Sequence, residues 1–158
     1  MKKICAWFFS ASSTRFFTLA VCGALLACTT QTTPLSEREL AAKTLFDKGT
    51  VLLHSEPDAA IAIFDEVVSR FGEDASPGMR KQVAMALFSK GMTLGRQNKH
   101  DAAMAAHDEL DRRFGQDASP DARKWVAMAL FNKNATLRIQ NKPDAAMAVH
   151  DELDRRFG

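Results

Sequence analysis

Glu73–Gly115 and Gln116–Gly158 are two copies of one 43-residue unit: aligned without a gap, 32 of the 43 positions are identical. Self-similarity at a fixed period of this length is the signature of a solenoid, in which each unit buries its apolar face only against its neighbours. A third, diverged copy precedes these two over residues 36–72. There Leu45-Phe46-Asp47-Lys48-Gly49 matches Leu87-Phe88-Ser89-Lys90-Gly91, and residues 58–66 match residues 101–109. The first copy is one residue shorter between those matches, so the deletion is expected in a turn. A terminal unit is expected to diverge because one of its faces meets solvent.

Each unit reads as two helices. In the second copy Ser76 is placed as an N-cap and Pro77 as the first helical residue; Ser119 and Pro120 repeat this in the third. A serine hydroxyl satisfies one orphan backbone N–H at a helix start, and proline has none to satisfy. Val83, Ala84, Leu87, Gly91 and Leu94 recur at helical spacing, so a helix A runs to about Leu94. Asn98 and Asn141 suit a left-handed residue after it. Helix B runs from about Asp101 to Phe114, with Ala102, Ala103, Ala106 and Leu110 as its apolar stripe. Pro57 and Pro143 suit its first turn in the other copies. Asp58, Asp101 and Asp144 at its start, and Arg112 and Arg113 at its end, have the signs that the helix dipole favours. Gly72 and Gly115 close it. No stretch alternates as a strand would. The expected fold class is therefore all-α, a helical-hairpin repeat solenoid of three repeats (36–72, 73–115 and 116–158) and about six helices.

Gly91 in the middle of helix A, followed twelve residues later by Ala103 in helix B, resembles the tetratricopeptide repeat. Gly49 with Ala60, and Asn134 with Ala146, stand in the corresponding places. The resemblance implies that these six are repeat-packing residues where two helices cross closely. Asn134 departs from the pattern. So do His107 and His150, which occupy the aromatic position that Phe64 holds in the first unit. The period of 43 also exceeds the 34 of that family, and the surplus lengthens helix A by about two turns. By the same resemblance, Phe46, Thr50, Met85, Phe88, Met92, Arg96, Met128, Phe131, Ala135 and Arg138 are expected to line a partner-binding groove. That is a column of Phe and Met edged by Arg, and methionine adapts to varied partners.

The repeats offer little for catalysis. His107 and Asp111 are one helical turn apart and could be drawn as a metal site, but a packing or interhelical hydrogen-bonding role is expected for the histidine. The repeats contain no cysteine and no Gly-rich phosphate loop. The run Asp108–Arg113, repeated at Asp151–Arg156, reads as a solvated face of close-range acid–base pairs. From Cys28 onward 18 Lys and Arg face 19 Asp and Glu, so no basic surface points to nucleic acid. No enzyme activity, cofactor or metal is expected.

The N-terminus reads as an address. Lys2, Lys3 and Arg15 precede an uncharged, largely apolar run from Phe16 to Ala27, which ends in Leu25-Leu26-Ala27-Cys28. Its 12 residues fall short of the ~20 needed to span a bilayer and suit a signal-peptide core. The last four residues resemble the lipobox of bacterial lipoproteins. That resemblance implies a signal peptide over residues 1–27, lipidation at Cys28, and a flexible tether over 28–35. Thr29 after the cysteine implies sorting to the outer membrane, facing the periplasm. The function expected of the whole is a membrane-anchored, non-catalytic scaffold that binds a protein or peptide segment in the groove of the A helices. The alternative is a structural, self-associating module: an end-to-end dimer through an uncapped C-terminal helix, or part of a longer array.

Overall fold

The computed structural model describes residues 36–158. The expected signal peptide over 1–27, lipidation at Cys28 and tether over 28–35 all fall outside the described residues. Those described form six α-helices in the order α1 (Glu37–Leu52), α2 (Pro57–Phe71), α3 (Pro77–Arg96), α4 (His100–Phe114), α5 (Pro120–Ile139) and α6 (Pro143–Phe157). They make an all-α helical-hairpin repeat fold, without a strand among the described residues. None of these helices is long and apolar enough to cross a membrane.

Local chemistry sets the helix ends. Ser36 and Glu39 form a reciprocal capping box at the start of α1: the Glu39 amide donates to Ser36 Oγ (3.2 Å) and the Ser36 amide to Glu39 Oε2 (3.1 Å). At α5 the Ala122 amide donates to Ser119 Oγ (3.3 Å). At α3 the Ser76 hydroxyl makes no such bond. There an aspartate does the local work, as Asp74 Oδ1 accepts from the Ser76 amide (3.0 Å); Asp117 and Ser119 repeat this at 2.9 Å.

Asn98 and Asn141 adopt the left-handed conformation, with φ of 59° and 57°. Around them the Lys99 amide reaches the Leu94 carbonyl and the Lys142 amide that of Leu137, both at 2.9 Å. This is the six-to-one bond of a Schellman ending. Gly72 and Gly115 also end helices, but at φ of −62° and −60°, right-handed rather than left-handed. Glycine there avoids a clash with the last turn of its own helix: a Cβ on Gly72 would run into the Val68 carbonyl oxygen, and one on Gly115 into that of Asp111.

The A helices α1, α3 and α5 pack side by side in one layer, and the B helices α2, α4 and α6 cover one side of it. Each of α2 and α4 lies against the A helix of its own unit and the A helix of the next. One apolar core runs through all three units, including Phe64, Val67, Met79, Val83, Leu110 and Val126. Burying one such side chain contributes about 1.5–3 kcal/mol.

Polar contacts between units recur at the repeat spacing. Lys90 pairs with Asp65, and Lys133 with Asp108. Gln97 donates to Asp58 and Gln140 to Asp101, both at 3.0 Å. Arg38 approaches Asp74 and stacks on Phe71; Arg80 does the same with Asp117 and Phe114. The Asp108–Arg113 run is therefore only half a solvated face. Arg112 is exposed and pairs with Glu109, and Arg155 likewise approaches Glu152. Asp108 and Asp111 instead reach the next unit. Asp111 receives Arg156 at 2.8 Å, and that guanidinium also donates to the Gly115 carbonyl at 2.9 Å. Neighbours on one helix are visible in a sequence, but contacts across a joint depend on how the units stack.

Candidate peptide-binding face

The repeat-packing residues come together as close helix crossings. Ala60, Ala103 and Ala146 are all buried. A Cβ on Gly49 would lie 2.7 Å from the Phe64 ring, and one on Gly91 would lie 2.5 Å from His107. Each glycine thus leaves room for the ring of the facing B helix. In the third unit Asn134 fills that space, donating from Nδ2 to the Ala146 carbonyl at 2.6 Å. His150 is correspondingly exposed, 3.8 Å from Asp154. One substitution in helix A thus accompanies a different place for the facing ring.

His107 is 3% exposed and its ring tilts against that of Phe88, with centroids 5.9 Å apart. Its Nδ1 has no hydrogen-bond partner in the structure. Burial drives its pKa down from 6.5 to about 4, against the raising effect of Asp108 and with a small lowering by Lys133. The imidazole is therefore neutral near pH 7. Among the described residues no three His, Cys, Asp or Glu side chains cluster as metal ligands, and Asp111, the partner drawn for His107, is engaged by Arg156.

The ten residues of the expected groove fall into three places. Phe46 is not on a surface: it is 8% exposed, packs on Phe64 at 5.6 Å and belongs to the core. Phe88, Phe131 and Arg138 lie along the flank where one A helix meets the next. Phe88 is half-buried there, between His107 and Trp125, whose ring centroid is 5.3 Å away. Phe131, the same repeat position one unit on, is 65% exposed. Arg138 is exposed and stands at the register of Gly95, not of Arg96.

The remaining six share the open side of the A layer. Met85, Met92 and Arg96 on α3 are spaced i, i+7 and i+11, which puts them on one stripe opposite the buried Met79, Val83 and Ala86. Met128 and Ala135 continue the stripe on α5, and Thr50 on α1. Met92 and Met128 are exposed, Met85 and Thr50 half-buried. The Asn132 amide donates to Met92 Sδ at 3.0 Å, tying the stripes of α3 and α5 together. Sequence reasoning missed Ile139, the register partner of Arg96, which is 70% exposed at the end of the α5 stripe. Strict counting by 43 residues would have found it. On α1 the corresponding stripe is polar, with Lys43 held to Asp47. The open face is thus apolar over units two and three, with Arg96 at one edge.

A recess of about 440 Å³ lies elsewhere, at the joint of units two and three, lined by Arg80, Ala84, Phe114, Asp117 and Ala122 among others. Its polar walls are engaged in the Arg80–Asp117 pair.

Compared with protein-family models, curated proteins and solved structures, the chain matches none.

Proposed function

We propose that this chain is a non-catalytic, tetratricopeptide-like scaffold that binds a protein or peptide segment along the open face of its A helices. The supporting observation is the apolar stripe of Met92, Met128, Ala135 and Ile139, exposed on the described helices, with half-buried Met85 at its edge. Exposed apolar residues scattered singly need no explanation, but a contiguous set on adjacent helices is the mark of a binding surface. Methionine and isoleucine supply adaptable apolar contact, and Arg96 at the edge supplies a donor for a carboxylate or carbonyl.

Panning a library of random displayed peptides against the full chain tests this. Enriched peptides are expected to contain apolar residues at regular spacing. They should bind the variant Met92→Lys, Met128→Lys at least about tenfold more weakly, a loss of about 1.4 kcal/mol, since two ammonium groups would have to be desolvated against the apolar side chains of the peptide. Met147→Lys, on α6, is the control and should bind as the parent does. Peptides that bind the groove variant undiminished would place the binding surface elsewhere.

The same reading places the scaffold on the periplasmic side of the bacterial outer membrane, held by acyl chains on Cys28. A diacyl anchor is firm because each buried CH₂ adds roughly 0.8 kcal/mol. Cells fed labelled palmitate should label the parent chain and not Cys28→Ala, and only the parent should sediment with membranes. Equal labelling of the two would remove the anchor from the account.

A further inference from the structure

One contact recurs at both joints inside this array, a lysine of the A helix paired with an aspartate of the preceding B helix, and the second joint adds two more. The outer faces of the first and third described units each carry one half of these contacts. On the side that leads to the next unit, the joints offer Asp65 or Asp108 to a lysine and Phe88 to Trp125. Asp111 is offered to Arg156. The third unit presents the same half again: Asp151, Phe131 and Asp154 stand 43 residues further on, and all three are exposed. The receiving half is repeated at the other end. Lys48 on α1 holds the register of Lys90 and Lys133, and Arg70 on α2 that of Arg156. Leu40 holds the register of Trp125 and is 55% exposed.

Where the receiving end departs from the internal pattern, the charge still matches. Glu37 stands at the register of Met79 and Ala122, both buried at the internal joints. Ala122 and Arg80 line one recess. The same stacking at the outer faces would set Glu37 beside Arg123, which donates to the Arg156 carbonyl (3.0 Å) and, unlike its counterparts Arg38 and Arg80, has no aspartate beside it among the described residues.

We infer that the chain associates head to tail with further copies of itself, the α1–α2 face of one seated on the α5–α6 face of the next, in the stacking of its own internal joints. Lys48 then meets Asp151 of the neighbouring copy, Arg70 meets Asp154, and Leu40 covers Phe131. The contact is heterologous, so it builds open chains whose length rises with concentration instead of stopping at a dimer, unless the rotation closes a ring. It uses the ends of the array and leaves the stripe of Met92 and Met128 open, so it stands or falls separately from the peptide-binding reading.

Sedimentation of the full chain in mild detergent over a range of concentrations tests it, with Lys48→Glu, Asp151→Lys and the double variant compared. The parent is expected to show a concentration-dependent series above the monomer. Each single reversal should raise the concentration needed for association by about tenfold or more, since it sets like charges opposite one another. The double variant should recover association, because the reversed pair attracts again. Both positions are exposed, so helical content and melting temperature should not change. A monomer at every concentration overturns the inference and leaves the end faces to a partner of another kind. Association indifferent to both reversals, or unrecovered in the double variant, also overturns it by placing the contact elsewhere.

Discussion

Replacing Phe64 by alanine is expected to lower the stability of the helical domain by about 3–5 kcal/mol, the range for removing a buried aromatic. Phe64 is fully buried, its ring packs on Phe46, and Gly49 makes room for it. A neighbouring glycine cannot grow into the space, and the α1–α2 crossing is fixed by Ala60, so little relaxation is available. Small domains are stable by only about 5–15 kcal/mol in total, so the loss is a large fraction. Phe131→Ala is the comparison. That ring is 65% exposed on the flank of α5, and its loss should change stability by no more than about 0.5 kcal/mol. Urea denaturation followed by helical circular dichroism measures both. Equal losses would mean that Phe131 is covered in solution, and a small loss at Phe64 would contradict the core described for the first unit.

Acid should destabilise the domain in two stages, and the first belongs to His107. Its pKa in the folded chain is about 4, against 6.5 unperturbed, because burial penalises the charged ring. The unfolded chain therefore binds the proton more readily. His107 contributes stability fully above pH 6.5, and that contribution is lost as pH falls from 6.5 to 4. Each pH step within this window costs up to 1.4 kcal/mol, so the loss is on the order of 3 kcal/mol. The second stage belongs to carboxylates whose folded pKa is depressed. Hydrogen bonding from Arg112 holds Glu109 down to about 2, and backbone bonding from Ser76 and Ser119 lowers Asp74 and Asp117. Their contribution is present above the ordinary carboxylate range and fades below it. His107→Phe, which copies the Phe64 arrangement, should abolish the first stage and keep the second. At pH 7 the variant should be at least as stable as the parent, since an unpartnered buried nitrogen is removed. Denaturation curves at pH 7 and pH 4.5 decide this. A variant that loses as much stability as the parent between those values would show that His107 is not the group titrating.

The repeat, the six helices and most of their ends were legible in the chain because they rest on local chemistry. Proline can open a helix, asparagine tolerates a positive φ, and apolar residues at helical spacing mark a buried face. The close crossings at Gly49 and Gly91 were legible through the family resemblance. The exposure of His150 was not: it accompanies an Asn134 amide that reaches the Ala146 carbonyl, a contact across two helices that no residue pattern announces. The groove shows the same limit. Phe46, Phe88 and Phe131 hold one register, yet one is in the core, one half-buried and one exposed. Register says which way a side chain points, and the neighbouring unit decides whether anything covers it. The glycines that end α2 and α4 gave the right boundary without the left-handed conformation expected of them: each caps its helix at a negative φ, where a Cβ would meet the carbonyl four residues back.

The methionines provide the most direct measurement of the central reading, that the open A-helix face takes up a peptide segment. Met85, Met92 and Met128 lie on the stripe, Met79 in the core, and Met104 and Met147 on the B helices. The methyl NMR spectrum of the full chain labelled at methionine should be recorded while the peptides enriched by panning are added. The account predicts that the signals of Met92 and Met128 shift most, with Met85 following, while those of Met104 and Met147 stay in place. Shifts confined to Met104 or Met147, with the stripe unmoved, would contradict it.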